Sequence, residues 1–262
     1  MELELNGKTA LVFGGSKGIG LAIAQQLFEE GVNVCIVSRL IENLNEAERS
    51  IAKSGKNKIL TFPGDLGDPE TIMAARRYVK NQFGNPDIII NNSGGPPMGS
   101  FMEHEEKVWT DAFEQHFLSL VRLLKIFSKP MSQKKWGRFI NISSTVALEP
   151  TPTMIVSAAI RAGVAALSKS ASLSLADSGV TINTICPGGV ATDRLLNLID
   201  DQSNSTGESF KTLLMKAEAS IPMKRFAEPS EVANLVIFLC SNKANYISGR
   251  THCVDGGLVK SL

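Results

Sequence analysis

Residues 9–20 read Thr9-Ala10-Leu11-Val12-Phe13-Gly14-Gly15-Ser16-Lys17-Gly18-Ile19-Gly20, and this stretch decides the fold. Its first five residues are an apolar run of strand length. After it, Leu21-Ala22-Ile23-Ala24-Gln25-Gln26-Leu27-Phe28 places apolar residues at helical spacing. A glycine-rich loop thus joins a buried strand to a helix, which is the context a dinucleotide site needs. Glycines let the backbone turn sharply and approach a pyrophosphate. The free N–H groups and positive dipole end of the following helix then face the phosphates.

Outward from this unit, strand and helix patterns alternate. Strands are expected at Val32–Val37, Lys58–Phe62, Asp87–Asn91, Arg138–Ile142, Thr181–Ile185 and Thr251–Val254. Helices are expected from about Ile41 to Lys53, from Asp68-Pro69, from about His104 to Met131, and from Thr153 to Asp177. Further helical material is expected at Leu213–Ala219 and Pro229–Cys240. Strands apolar on both faces, alternating with helices, give an α/β fold with a parallel sheet covered on both sides. No linker or repeat interrupts it, so residues 1–262 are expected to be a single domain. Asp200–Ser209 is polar throughout and reads as a loop, either a lid over the carboxyl ends of the strands or a solvated surface segment.

Composition narrows the class. The 262 residues are 43% hydrophobic, enough for a sizeable core, and the formal net charge of +1 gives no hint of nucleic acid. Cys35, Cys186, Cys240 and Cys253 match no metal or CxxC spacing, so no metal is expected. The acidic Met-Glu-Leu-Glu-Leu start lacks the features of a signal peptide, and no apolar run is long enough to span a membrane. A cytoplasmic protein without membrane partners is expected.

Several ordered features carry a resemblance. They are Gly14-x-x-x-Gly18-Ile19-Gly20, Asp65-Leu66, Asn91-Asn92-Ser93-Gly94, Ile140-Asn141-Ile142-Ser143-Ser144, Asn183-x-x-Cys186-Pro187-Gly188 and Asp255-Gly256-Gly257. Over essentially its whole length the chain resembles a short-chain dehydrogenase/reductase of the bacterial 3-oxoacyl-[acyl-carrier-protein] reductase type. The resemblance implies a single doubly wound Rossmann domain of about seven parallel strands, helices on both faces, that binds a nicotinamide cofactor. Within it, Gly14, Ser16, Lys17, Gly18, Ile19 and Gly20 would form the phosphate loop. Asp65 and Leu66 would hold the adenine edge and ring. Asn91, Ser93 and Gly94 would line the adenosine ribose and cleft floor. Pro187, Gly188, Val190 and Thr192 would contact the nicotinamide amide.

The form of the cofactor follows from charge. An acidic residue about 20 positions after the loop binds the ribose hydroxyls in NAD sites. Here the second strand ends Val37-Ser38-Arg39. Arg39 is a planar, permanently charged fork suited to a 2′-phosphate, Lys17 adds a second cation and Ser38 a hydroxyl. NADP(H) is the expected cofactor.

The reaction centre departs from the family's pattern. The resemblance implies a serine that binds the substrate oxygen, and Ser144 matches it. It also implies a tyrosine that transfers a proton and a lysine four residues on. Those places hold Ser157 and Arg161, and the long-helix asparagine position holds His116. A serine hydroxyl is a poor acid near neutral pH, and arginine holds its proton. Arg161 could still hold ribose hydroxyls and stabilise a developing alkoxide. His116 is the nearby group whose ordinary pKa suits proton transfer. Two readings stay open: an NADP(H)-dependent oxidoreductase of a small carbonyl substrate, with His116 as one candidate proton donor, and a cofactor-binding sensor or scaffold without turnover. The resemblance also implies a homo-oligomer, a tetramer or else a dimer.

Overall fold

Thr9–Phe13 is β1, five residues buried on both faces. Ala10 and Val12 face one apolar layer, and Leu11 and Phe13 face the other. A strand covered on both sides belongs inside a sheet. In the computed structural model, which describes residues 2–55 and 57–261, β1 lies between β2 (Asn33–Ser38) and β4 (Ile88–Asn91), parallel to both. With β3 (Ile59–Pro63), β5 (Gly137–Ile142), β6 (Val180–Pro187) and β7 (Thr251–Val254), the order is β3-β2-β1-β4-β5-β6-β7, every pair parallel. This is the parallel sheet that the alternating pattern predicts, in the doubly wound order that the resemblance implies.

Helices cover both faces. α1 (Gly18–Glu29), α2 (Ile41–Ile51) and α9 (Pro229–Cys240) bury Leu27, Leu44 and Val236 in one layer. α3 (Pro69–Phe83), α5 (Ser119–Gln133) and α6 (Ile155–Ser174) bury Ile72, Phe127 and Val164 in the other. The chain leaves β1 towards β2 and β3, then crosses back to β4 on the opposite side. The loops after β1 and β4 therefore diverge, and a crevice opens at the carboxyl ends of the strands.

The long helix expected at about His104–Met131 is present as α4 (Glu106–Ala112), a π-helical turn at Phe113–Leu118, then α5, without a gap. Such turns insert a residue into the helical register and are frequent at functional sites. Asp200–Ser209 is not a loop: α7 (Asp193–Thr206) runs through most of it, and α8 (Phe210–Ser220) starts just after it. Thr192 caps α7 by accepting from Leu195 N, and Gly207 ends it at φ +74°. Ile199 and Leu213 bury the apolar side of this pair. Cys35, Cys186 and Cys240 are buried free thiols and Cys253 is exposed. Among the described residues, no helix is long and apolar enough to cross a membrane, and no cluster of metal-ligating side chains occurs.

Candidate active site

The phosphate-facing corner is built from backbone. Gly18 starts α1 at φ +52°, a left-handed conformation that a side chain disfavours, and a Cβ there would lie 3.0 Å from Thr192 Cγ2. Two residues on, a Cβ at Gly20 would meet Gly14 O at 2.1 Å. The first turn of α1 is pressed onto the loop. No side chain caps α1 at Lys17, so its first N–H groups open to the crevice. Asn92 locks the loop by donating Nδ2 to Gly14 O at 3.1 Å.

Two adjoining cavities follow the crevice, sharing Gly14, Asn92, Ser93 and Gly94. The smaller, about 110 Å³, is lined by Ser38, Arg39, Asp65 and Leu66. Ser38 Oγ accepts from Ser16 Oγ at 2.8 Å, while Arg39 projects exposed from the end of β2. Asp65 accepts from Gly67 N through one carboxylate oxygen at 3.0 Å. The larger cavity, about 710 Å³, is within the usual range for small-molecule sites. Lys17, Gly18, Ile19, Pro187, Gly188, Val190 and Thr192 line it together with Ser144, Ser157 and Arg161. The ends of β1, β4, β5 and β6, together with α6, thus bring the distant sequence motifs to one chamber.

Arg161 is the buried charge of that chamber. It donates Nη1 to Ile142 O at 3.0 Å and Nε to Ser157 Oγ at 3.2 Å. Burial, and then the neighbouring Arg194, bring its guanidinium down to about 10, so it stays a cation at neutral pH. Ser144 Oγ accepts from Val146 N at 3.4 Å and keeps its hydroxyl proton free to donate. Arg194, on the first turn of α7, donates Nη2 to Pro96 O at 3.2 Å. His116 sits in the π-helical turn, buried, with Nδ1 3.0 Å from Ser93 Oγ.

A model of the enoyl-(acyl carrier protein) reductase family matches residues 14–259. The chain is 34% identical over 256 residues to the 3-oxoacyl-[acyl-carrier-protein] reductase FabG of Vibrio cholerae, covering 98% of this chain and 99% of that one. The chain belongs to the short-chain dehydrogenase/reductase family. It is also 31% identical to the NADPH-dependent reductase BacG of Bacillus subtilis, over 98% of this chain and all of the relative. The L-sorbose reductase of Gluconobacter frateurii, solved with NADPH and L-sorbose, superposes with a TM-score of 0.95 at 31% identity over the whole of both chains.

In this short-chain dehydrogenase/reductase four expected site residues stand apart from the cavities. Asn91 turns inward and donates to Asn141 Oδ1 at 2.9 Å, while Asn141 donates on to Ser168. Its amide ties β4 to β5 and α6, and Asn92 takes the place in the crevice. Gly20 and Ser16 act one layer back, through packing and through Ser38. His116 does not line either cavity. Burial, then Arg161 and Arg194, push its pKa down to about 3. A neutral imidazole results, which holds Ser93 and has no imidazolium proton to give. Missed from the sequence were Met154, Arg194 and Asp201, all on the wall of the larger cavity. Only Arg194 carried a signal, as a cation just past the Thr192 cap.

The His116 shift has a consequence for stability. Between its ordinary value near 6.5 and about 3, the unfolded chain binds a proton that the folded chain refuses. The neutral histidine's contribution is therefore whole above pH 6.5 and falls by about 1.4 kcal/mol per pH unit as acid is added through that window. His116→Asn should remove this slope. Urea denaturation of both proteins at pH 7, 6 and 5 checks it: the gap between them should change with pH, and parallel curves would refute the assignment.

Proposed function

We propose that this chain is a cytoplasmic, single-domain reductase that uses NADPH to reduce a carbonyl substrate, 3-oxoacyl compounds included, from a reaction centre of Ser144, Ser157 and Arg161. The observation that carries the reading is the buried Arg161 guanidinium, fixed between Ile142 O and Ser157 Oγ in a chamber continuous with the glycine loop.

The residues present fit the cofactor. Gly18 and Gly20 leave a cradle that a Cβ would fill, and α1 offers uncapped N–H groups to the diphosphate. Arg39, with Ser38 beside it and no carboxylate at the end of β2, suits a 2′-phosphate. NADPH, when bound, supplies the hydride. Ser144 would donate a hydrogen bond from its hydroxyl to the substrate oxygen and orient it. Arg161 stabilises negative charge developing there, in a desolvated chamber where a fixed cation counts for more than in water. Arg161 cannot release its proton and Ser157 is a weak acid, so the proton comes from solvent, ordered by the two serine hydroxyls. His116, neutral, positions Ser93. Copies associate as a tetramer, or else a dimer, through the α4–α5 and α6 surface, where half-exposed Phe113 stacks on Phe117 at 4.8 Å.

Calorimetric titration with NADPH and NADH, followed by absorbance assays on ketones and β-ketoacyl thioesters, tests the reading. NADPH should bind at least tenfold more tightly than NADH, and Arg39→Ala should erase that preference, the loss of a charge-assisted contact worth roughly 1.5–3 kcal/mol. At least one carbonyl should consume NADPH. Tight NADPH binding with no turnover across the panel would favour a sensor or scaffold, a reading supported by the lack of a side-chain acid at Ser157. Equal affinity for the two cofactors would overturn the 2′-phosphate assignment.

A further inference from the structure

The larger cavity holds two guanidinium groups facing one point of its wall. A methyl group on Gly95 would lie 3.0 Å from Arg194 Nη2 and 3.5 Å from Arg161 Nη2. Among the described residues neither arginine has a carboxylate partner. The two acidic side chains on the wall are Asp193, which reaches Lys17 at 3.7 Å, and Asp201. Both guanidinium groups instead rest on neutral acceptors: Ile142 O and Ser157 Oγ for Arg161, Pro96 O for Arg194. Burial and mutual repulsion lower the pKa of Arg161, and burial lowers that of Arg194. Two like charges brought together in a partly desolvated chamber are unfavourable until an anion joins them.

The cofactor's phosphates are the first anions to consider, but they already have partners elsewhere. The start of α1 would serve the diphosphate and Arg39, at the end of β2, the 2′-phosphate; Lys17, expected beside Arg39, instead lines the larger cavity and reaches Asp193. Arg194 comes from the other wall, on α7, and its contact at Pro96 lies past Ser93 and Gly94, the residues shared by both cavities. The bond to Pro96 uses one nitrogen of the fork. Nη1, Nε and the second N–H of Nη2 have no protein partner among the described residues, so an edge of the fork that includes Nη2 remains to which a planar carboxylate can bind through both oxygens. Around them Met154, Leu195 and Leu198 line the wall with short apolar surface.

We propose that Arg194 is a carboxylate receptor and that the substrate is a short oxo acid, its carboxylate on Arg194 and its carbonyl between Ser144 and Arg161. The reaction rests on the reductase reading above, whereas the binding does not. In the reaction the carbonyl carbon accepts hydride from NADPH, the carbonyl π pair moves to oxygen, and that oxygen takes a proton from solvent. A hydroxy acid and NADP+ leave.

The test separates binding from turnover. Protein saturated with NADP+ is titrated calorimetrically with pyruvate, acetoacetate and 2-oxoglutarate, and with the methyl ester of each. At least one acid should bind tenfold or more tightly than its ester. Arg194→Met should abolish that difference, Arg194→Lys should keep part of it, and NADP+ affinity should stay within twofold in both. Arg194 stands on an exposed first turn, and an unchanged melting temperature in either variant shows that the fold persists. Acids and esters that bind alike, or no acid that binds, would overturn the proposal. So would an Arg194→Met variant that loses NADP+ rather than the acid, since Arg194 would then be a phosphate partner. Selective acid binding without NADPH oxidation would support the carboxylate site and sink the reductase reading alone.

Discussion

Gly20→Ala is expected to raise the dissociation constant for NADPH at least a hundredfold and to lower folding stability by about 3 kcal/mol, the upper part of the usual range for overpacking. The added Cβ would sit 2.1 Å from Gly14 O and 2.7 Å from Asn92 Nδ2. Neither can step aside cheaply. Gly14 O is backbone at the end of β1, in the middle of the sheet, and Asn92 is committed to it by a 3.1 Å hydrogen bond. The methyl can be accommodated only if α1 withdraws from the loop or the loop lifts off Asn92. A withdrawn helix moves its uncapped N–H groups away from the phosphates, and a lifted loop opens the floor shared by the two cavities. Stability and binding should therefore fall together, unlike Arg39→Ala, which should affect binding alone. Urea denaturation and calorimetry on the same preparation measure both. Wild-type NADPH affinity in the alanine variant would refute the loop's assigned role.

What the sequence disclosed depended on whether a feature was local. β1, its loop and α1 were legible because strand burial, glycine punctuation and helical spacing lie within twenty residues of each other. The other strands were found to within a residue or two; those inside the sheet are apolar on both faces, while the edge strands β3 and β7 are only partly buried and show as short β-prone runs. α7 was misread because its sequence, Asp193–Thr206, is mostly polar, with one side shielded by α8 and Ile199 its one fully buried residue. Composition there mimics a loop, and only the Thr192 cap and Gly207 betray a helix. The π-helical turn at His116 has no composition signature at all, since it is a shift in backbone hydrogen bonding. At the site, Ser144, Ser157 and Arg161 were named from spacing and do share a chamber. Asn91 was misplaced because neighbouring residues on a strand point to opposite faces, and its motif does not say which asparagine enters the crevice. Arg194 is legible in the sequence only as a cation just past the Thr192 cap; its meaning lies in facing Arg161 across the cavity near Gly95, a juxtaposition that no local pattern encodes.

The double replacement Ser157→Tyr with Arg161→Lys bears most directly on what the chamber is for. The two positions are one helical turn apart on the same side of α6, and the 3.2 Å bond from Arg161 Nε to Ser157 Oγ shows that their side chains meet. Ser157 opens onto the 710 Å³ cavity, so a phenol can extend into free space instead of into packed core. It would carry an acidic hydroxyl to the region that Ser144 borders, and a lysine ammonium beside it would favour the phenolate and so ease proton transfer. General acid–base catalysis contributes typically 10²- to 10⁴-fold. If hydride transfer is this site's business and proton supply is its weak step, NADPH consumption on a reducible carbonyl should rise at least a hundredfold. Ser157→Tyr alone should give a smaller gain, because the guanidinium loses the serine oxygen it rests on and must share the chamber with the ring. Lysine alone should give none, since it supplies no acid. Initial rates with NADPH for the wild type and the three variants, on the same carbonyl, decide the matter. A double variant that binds NADPH as the wild type does and yet shows no gain would mean that the chamber does not hold a carbonyl where hydride can reach it. Arg161 and Arg194 would then serve to recognise an anion beside a bound nucleotide, and the protein would be a sensor of that pair.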